Sequence, residues 1–188
     1  MLDDDSSRCG QKVGGIEILG PLKRAKEYPD AFFVNSVGSH TNFWKKKNII
    51  SSLNLPESRF ATLIHPSAGI SRSVDIGVGS VVMRNVSIGP NVTIGYHVLI
   101  HPHVLIVHNN NIGDYSCLMG GSVISGNVNI GESCWLAPNC SITGNVEIGR
   151  HVLIGMGSSV LGSVPEVSVV VGSPARITRS TYSLEKKN

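Results

Sequence analysis

The feature that most constrains the fold is an aliphatic residue that recurs at every sixth position. From Ile64 to Val160, seventeen consecutive positions match without an insertion. Four places after each of them stands a small or β-branched residue, and Asn110 is the one polar amide in that second series. Because side chains alternate along a strand, both positions face the same way. Each hexapeptide is therefore predicted to place two apolar side chains on one side.

The residues between these positions predict sharp corners. The second and third places after each aliphatic residue are rich in Gly, Asn and Pro, which suit tight turns and positive φ. Three strands and three corners close a triangular coil of 18 residues, and coils stack as parallel strands about 4.8 Å apart. Asn91, Asn109, Asn127 and Asn145 recur at this interval. We predict a mainly β protein, a left-handed parallel β-helix over residues 59–165.

The composition agrees with an aliphatic interior and frequent turns, since the 188 residues include 21 glycines and only 5% aromatics. The formal charge of +3 is spread along the chain. The one dense basic run, Lys45 to Lys47, is interpreted as the solvated face of an amphipathic helix. No aromatic residues alternate with the basic ones, so we expect no nucleic-acid partner.

The flanks lack the six-residue period. Residues 1–58 are predicted to form a small, truncated α/β segment with a strand at Ala31 to Val37 and a helix from about Thr41 to Leu53. Residues 166–188 are predicted to contain a last strand at Val169 to Val171 and a frayed tail ending at Lys186 to Asn188.

The chain starts with an acidic segment and contains no run of 18 apolar residues, so we expect a cytoplasmic protein without a membrane partner. Four cysteines follow no CxxC spacing and are expected to be free thiols. They are Cys9, Cys117, Cys134 and Cys140.

Six segments resemble the left-handed β-helix sugar acetyltransferases, in the branch of the nucleotide-linked 4-amino-sugar N-acetyltransferases and the sialic acid O-acetyltransferases. They are Leu2 to Asp5, Phe33 to Gly38, Thr62 to Ala68, Val107 to Asp114, Ile124 to Val128 and Val171 to Arg176. The resemblance implies a homotrimer that uses acetyl-CoA as cosubstrate, needs no metal, and acetylates the amino group of a nucleotide-activated 4-amino-deoxysugar.

Catalytic roles follow from the same resemblance. His108 stands at a corner, projects away from the core, and matches the family's general base. Asn109 takes the place of a residue that is often acidic in the family, and we expect it to orient the imidazole without adding charge. Gly126 lies one coil later, beside His108, and its N–H is expected to stabilise the oxyanion. His40, His97 and His151 are interpreted as ordinary surface residues.

The resemblance also implies two binding regions. Cys117, Pro138 and Met156 are expected along the acetyl-CoA arm, with Cys117 where relatives often carry a second histidine. Asp3, Asp4 and Gly38 are expected to bind the nucleotide-sugar. The family's first strand and glycine-rich turn have no counterpart before Leu2, and Pro138 has no N–H to donate to coenzyme A.

Three other functions fit parts of the sequence. The acceptor could be a sugar hydroxyl, which would make the protein an O-acetyltransferase. His103 and His108 have the spacing of two ligands of the γ-class zinc carbonic anhydrases, but the place of the third ligand is held by Ser67, and His65 misses it by two residues. A noncatalytic trimeric β-helix scaffold is the third alternative.

Overall fold

The computed structural model describes residues 1–185, and its first 62 residues form an N-terminal segment of short elements. These elements are strands β1 (Lys12–Val13) and β2 (Ile16–Glu17), which pair antiparallel, 3₁₀ helices at Ser6–Arg8, Leu22–Glu27, Phe43–Lys45 and Glu57–Arg59, and helix α1 (Lys46–Ser52). The predicted helix at 41–53 is thus a 3₁₀ turn that continues into α1.

The predicted strand at Ala31 to Val37 is wrong in extent. This stretch makes a single bridge, between Phe33 and Phe60. Phe33 donates its N–H to Arg59 O at 2.8 Å, and Ala61 donates to Phe33 O at 2.9 Å. A β-strand needs a hydrogen-bonding partner along its whole length, and here the partner provides a single bridge. The alternation of apolar residues in the sequence does not indicate how long that partner is.

Residues 63–160 form the predicted parallel β-helix, with a two-residue strand in every hexapeptide. The strands are β3 (Leu63–Ile64), β4 (Gly69–Ile70), β5 (Asp75–Ile76), β6 (Val81–Val82), β7 (Ser87–Ile88), β8 (Thr93–Ile94), β9 (Leu99–Ile100), β10 (Leu105–Ile106), β11 (Asn111–Ile112), β12 (Cys117–Leu118), β13 (Val123–Ile124), β14 (Asn129–Ile130), β15 (Trp135–Leu136), β16 (Ser141–Ile142), β17 (Glu147–Ile148), β18 (Leu153–Ile154) and β19 (Ser159–Val160).

Every third strand belongs to the same sheet, so the helix has three faces. Face 1 contains β3, β6, β9, β12, β15 and β18, face 2 contains β4, β7, β10, β13, β16 and β19, and face 3 contains β5, β8, β11, β14 and β17. All pairs within a face are parallel, and each residue lies beside the one 18 positions later, as Ile106 does beside Ile124. We name the corners by the faces they join: 1–2, 2–3 and 3–1.

The inward positions form one aliphatic column. Ile100, Ile106, Ile112 and their equivalents in later coils are fully buried, and each such side chain contributes roughly 2 kcal/mol. Asn110 lies in this core, where its Oδ1 accepts from the Val128 N–H at 2.7 Å. Burial therefore confirms the predicted inward positions from Val82 onward, whereas Ile64, in the first coil, is 49% exposed.

Corner 2–3 carries the predicted asparagine ladder. The side-chain amides of Asn91, Asn109, Asn127 and Asn145 are joined in series by N–H···O bonds of 3.1 Å. All four residues have positive φ, between 54° and 60°. The 18-residue recurrence of Asn is explained by this combination of backbone conformation and amide stacking.

The N-terminal segment packs on face 1. Phe43 enters a cluster of outward-facing residues of that face, namely Leu99, Cys117, Trp135, Leu153 and Val169. Lys46 is only 1% exposed, so the interpretation of Lys45 to Lys47 as a solvated face is wrong for the central lysine. Lys45 and Lys47 are exposed, and Lys47 pairs with Glu132 at 3.0 Å.

The chain ends in a hairpin that extends face 1. Strand β20 (Ser168–Gly172) contains the predicted strand at Val169 to Val171 and pairs parallel with β18, and β21 (Ala175–Ser180) pairs antiparallel with β20. Helix α2 (Tyr182–Glu185) follows. The end of the predicted tail, Lys186 to Asn188, lies outside the described residues. Within residues 1–185, no helix has the length and apolar character needed to cross a bilayer.

His97 was predicted as a surface residue, and this is wrong. It is 1% exposed because the N-terminal segment covers corner 3–1, where its ring meets Phe60 edge-on and stacks on Tyr115. Its Nε2 lies 3.3 Å from Glu57 Oε2. Burial lowers the pKa of His97, and the neighbouring Glu57 carboxylate opposes this only in part.

We expect acid to weaken the contact between the N-terminal segment and the β-helix. Since the folded pKa of His97 lies below its ordinary value, the unfolded chain binds the proton more readily, and stability falls as pH decreases below about 6.5. Between pH 7.5 and pH 5, His97→Gln should lose less unfolding free energy than the natural protein in urea titrations, because it lacks this titrating group. Equal losses in both proteins would contradict this account.

Candidate active site

His108 and Gly126 form the predicted pair at corner 2–3. His108 follows β10 and Gly126 follows β13, so the parallel register places them one above the other. The His108 ring lies on the Gly126 backbone: a Cβ built at Gly126 would be 2.5 Å from His108 Cε1 and 2.7 Å from Nε2. Any side chain at position 126 would therefore displace the imidazole.

The Gly126 N–H remains available to a ligand. None of the backbone hydrogen bonds described within residues 1–185 uses it, whereas the flanking Ser125 N–H donates to Ile142 O. The His108 N–H at the same corner position is also unused. What distinguishes Gly126 is thus the imidazole beside its donor, a pairing of base and N–H that suits acyl transfer.

Asn109 is held by the corner ladder. Its Oδ1 accepts from Asn91 Nδ2, and its Nδ2 donates to Asn127 Oδ1. Both ends of the amide are thus used along the corner. The predicted orienting role of Asn109 on His108 remains a prediction, and the ladder fixes the backbone from which His108 projects.

A second group of candidate residues lies on face 1. Cys117, on β12, is fully buried, and Gly38 covers it so closely that a Cβ at Gly38 would be 3.6 Å from Cys117 Sγ. Lys46 Nζ donates to the same sulfur at 3.7 Å. The structure therefore brings together one residue predicted for acetyl-CoA and one predicted for the nucleotide-sugar, with a buried lysine between the two chain segments.

Lys46 is the residue that sequence reasoning missed. Burial lowers its pKa, and Cys117 opposes this in part. Burial also raises the pKa of the Cys117 thiol, and here Lys46 opposes. The signal in the sequence was the spacing of Phe43, Lys46 and Ile50, which places the lysine on the apolar side of a helix rather than on its solvated side.

The two predicted aspartates are engaged within the N-terminal segment. Asp3 pairs with Arg8 at 2.6 Å, and Asp4 Oδ1 accepts from the Leu22 N–H at 2.8 Å. Pro138 and Met156 lie one coil apart at corner 1–2, and Met156 is 74% exposed. The structure brings this second pair together at the edge of face 1, and Cys117, on the same face, lies under the N-terminal segment.

The candidate residues divide between opposite sides of the molecule. In a triangular coil, corner 2–3 is the vertex opposite face 1, and face 1 carries the N-terminal segment. His108 and Gly126 thus lie on one side, and Gly38 and Cys117 on the other. Within a single chain the body of the coil therefore stands between these two groups.

The N-terminal segment also contains a cavity of about 360 Å³. Its lining is mainly apolar, with Leu2, Leu22, Phe33 and Leu53 among the contributing residues. It contains none of the predicted catalytic residues and lies on the side away from His108.

The described residues contain no group of three His, Cys, Asp or Glu side chains arranged to hold a metal ion within one chain. His103 lies at corner 1–2 and His108 at corner 2–3, and His65 Nδ1 lies 2.9 Å from Ser67 Oγ.

Comparison with a family model places residues 62–161 in the family described as the GMPPB C-terminal domain. A UDP-N-acetylbacillosamine N-acetyltransferase of Bacillus subtilis (strain 168) is 40% identical over 75 residues, which are 37% of this chain and 33% of that protein. The chain therefore spans about a third of the length of this curated relative.

Solved structures match over almost the whole chain. PerB from Caulobacter crescentus, in complex with CoA and GDP-perosamine, has a TM-score of 0.81 at 24% identity, over 94% of this chain and 84% of that one. A histidine-to-asparagine variant of the perosamine N-acetyltransferase from this organism gives 0.83 at 23% identity over the same shares. The acetyltransferase domain of PglB from Neisseria gonorrhoeae, in complex with acetyl coenzyme A, gives 0.82 at 23%, also over 94% and 84%. The fold is therefore that of the left-handed β-helix N-acetyltransferases, as predicted.

We expect Gly126→Ala to move the His108 ring without unfolding the protein, because Gly126 does not have positive φ and its corner is partly exposed. The imidazole NMR signals of His108 should shift in this variant. Gly162→Ala, two coils later at the same corner position, is the matched control, since its Cβ would meet nothing within 4 Å. Unshifted His108 signals in Gly126→Ala would contradict the contact.

Proposed function

The chain belongs to the GMPPB C-terminal domain family, and we propose that it transfers an acetyl group from acetyl-CoA to the amino group of a nucleotide-linked 4-amino-deoxysugar. The observation that carries this proposal is the His108 imidazole lying on the Gly126 backbone, beside an N–H that is unused within residues 1–185. A base and an oxyanion donor in contact are the two groups that acyl transfer requires.

In the proposed reaction the sugar amine attacks the thioester carbonyl of acetyl-CoA directly. His108 takes one proton from the attacking nitrogen as the carbon–nitrogen bond forms, and the Gly126 N–H stabilises the negative charge on the carbonyl oxygen. The tetrahedral intermediate then collapses, the carbon–sulfur bond breaks, and the leaving thiolate takes up the proton held by His108, which restores the neutral imidazole. The protein itself forms no covalent bond, so this reaction needs no cysteine nucleophile.

The relatives support both substrates. PerB binds CoA and GDP-perosamine, the PglB domain binds acetyl coenzyme A, and the Bacillus subtilis relative is an N-acetyltransferase of a UDP-linked sugar. The nucleotides differ among these proteins, and the residues named here do not discriminate between the bases. Nucleotide-linked amino-sugars and acetyl-CoA are cytoplasmic metabolites, so a cytoplasmic location is part of the proposal.

The proposed site is shared between subunits of a homotrimer. One subunit contributes His108 and Gly126 at its corner 2–3. The neighbouring subunit contributes the region of its face 1 where Gly38 covers Cys117, and this region is proposed to bind the acceptor sugar. Pro138 and Met156 at corner 1–2 are proposed to contact the pantetheine arm. The support for this arrangement is the position of the two groups on opposite sides of each coil, which leaves the site incomplete in one chain.

The test is release of free thiol from acetyl-CoA with a panel of UDP-, dTDP- and GDP-linked 4-amino-sugars and their hydroxyl analogues. We expect turnover that requires the amino group and falls at least about a hundredfold in His108→Ala, the scale of a lost general base. His65→Ala, which removes an exposed histidine at corner 1–2, should retain the rate of the natural protein.

Other outcomes would assign other functions. Turnover with the hydroxyl analogues alone would make the protein an O-acetyltransferase. If the protein shows no turnover and contains stoichiometric zinc, the zinc carbonic anhydrase alternative is favoured. If it shows no turnover and binds neither zinc nor coenzyme A, the noncatalytic scaffold is favoured.

A further inference from the structure

Lys46 and Cys117 are paired in the interior, between the N-terminal segment and face 1. Lys46 begins α1 and Cys117 lies on β12, 71 positions later in the sequence. The Nζ and Sγ atoms are 3.7 Å apart, and both residues are at most 1% exposed. A primary amine and a thiol are thus held in contact in a site from which bulk water is excluded.

This contact provides little stabilisation for a buried lysine. A buried amine is normally held by oxygen acceptors or a carboxylate, and here the hydrogen bond is to a sulfur, which is a weak acceptor. Taking the amine out of water costs free energy that this bond does not restore. The uncharged amine that burial favours is, however, a nucleophile, and its four-carbon stem is flexible enough to move toward the sulfur.

Cys117 differs from the other buried cysteines in having a base beside it. Burial raises the pKa of Cys134 and of Cys140 to about 12, and Cys134 Sγ donates to Gly149 O at 3.1 Å. At Cys117, by contrast, the Lys46 amine beside the sulfur opposes the rise in the thiol pKa that burial causes, and so favours the thiolate, the form that reacts with peroxides. Its cover at Gly38 has no side chain, so a small opening of that segment admits a small oxidant.

We propose that Cys117 and Lys46 form a reversible oxidative cross-link, a sulfenamide between Sγ and Nζ. In the first step the thiol is oxidised by a peroxide: Cys117–SH and H₂O₂ give Cys117–SOH and water. In the second step the Lys46 amine attacks the sulfenic sulfur, the sulfur–oxygen bond breaks, and the hydroxyl leaves with one amine proton as water. Two equivalents of a thiol reverse the reaction and are oxidised to a disulfide.

The cross-link would fix the N-terminal segment to face 1. It joins α1 to β12 across a loop of 71 positions, which removes much of the freedom of the unfolded chain. It also lies directly beneath Gly38. If the proposed function holds, oxidation therefore fixes the acceptor side of the site, but the cross-link itself does not depend on that function.

The experiment is peroxide treatment of the reduced full chain, removal of excess peroxide with catalase, digestion without reductant, and mass spectrometry. We expect a linked pair of peptides that contain Lys46 and Cys117, with a mass two hydrogens below the sum of the free peptides. Dithiothreitol should separate them. The oxidised protein should melt several degrees higher than the reduced one, and this difference should disappear with dithiothreitol.

Lys46→Met is the matched variant, because it keeps an unbranched side chain of similar length without the amine, and Cys117→Ser removes the sulfur. Neither should give the linked peptides, and circular dichroism of each checks that it folds. Oxygen acids at Cys117 without a link, a linkage that has gained an oxygen atom, or equal linkage of Cys140 to lysines would each overturn the proposal. Because no turnover is measured, a failed cross-link leaves the proposed function untouched, and the reverse also holds.

Discussion

The parallel register of 18 residues is the constraint on which the rest of the structure depends. Each inward Ile, Leu or Val must sit above its counterpart in the previous coil, because a slip of one residue would turn the core positions outward. The corner asparagines fix the same register from outside through their amide ladder. Packing inside and hydrogen bonds outside therefore specify one alignment.

That alignment produces the candidate site as a consequence. His108 and Gly126 are 18 residues apart, so the register that stacks Ile106 on Ile124 also stacks an imidazole on a glycine. No flexible loop is required to bring them together. A rigid corner that presents a base and an N–H is the kind of preorganised element on which acyl transfer depends.

The sequence predicts the parts of the molecule that depend on its period. Local alternation of apolar residues predicts the strands and the inward column. The 18-residue repeat predicts the asparagine corner and the pairing of His108 with Gly126. The sequence does not predict what covers each face, because that depends on contacts between distant segments. The sequence therefore indicates Lys46 and His97 as exposed, although residues 1–62 bury the first against face 1 and the second at corner 3–1. It likewise indicates a full strand from Ala31 to Val37, although the partner of this stretch is a single bridge to Phe60.

The division of the candidate residues between corner 2–3 and face 1 makes the central claim testable by mixing subunits. His108→Ala lacks the proposed base. Gly38→Val alters the proposed acceptor side, because its φ of +148° favours glycine and the added side chain would contact Cys117. Each variant alone should be inactive. In a shared site, one subunit must supply an intact His108 and its neighbour an intact Gly38. When equal amounts of the two variants reassemble at random, about a quarter of the sites should contain both. A mixture no more active than its two parents would contradict a site shared between chains.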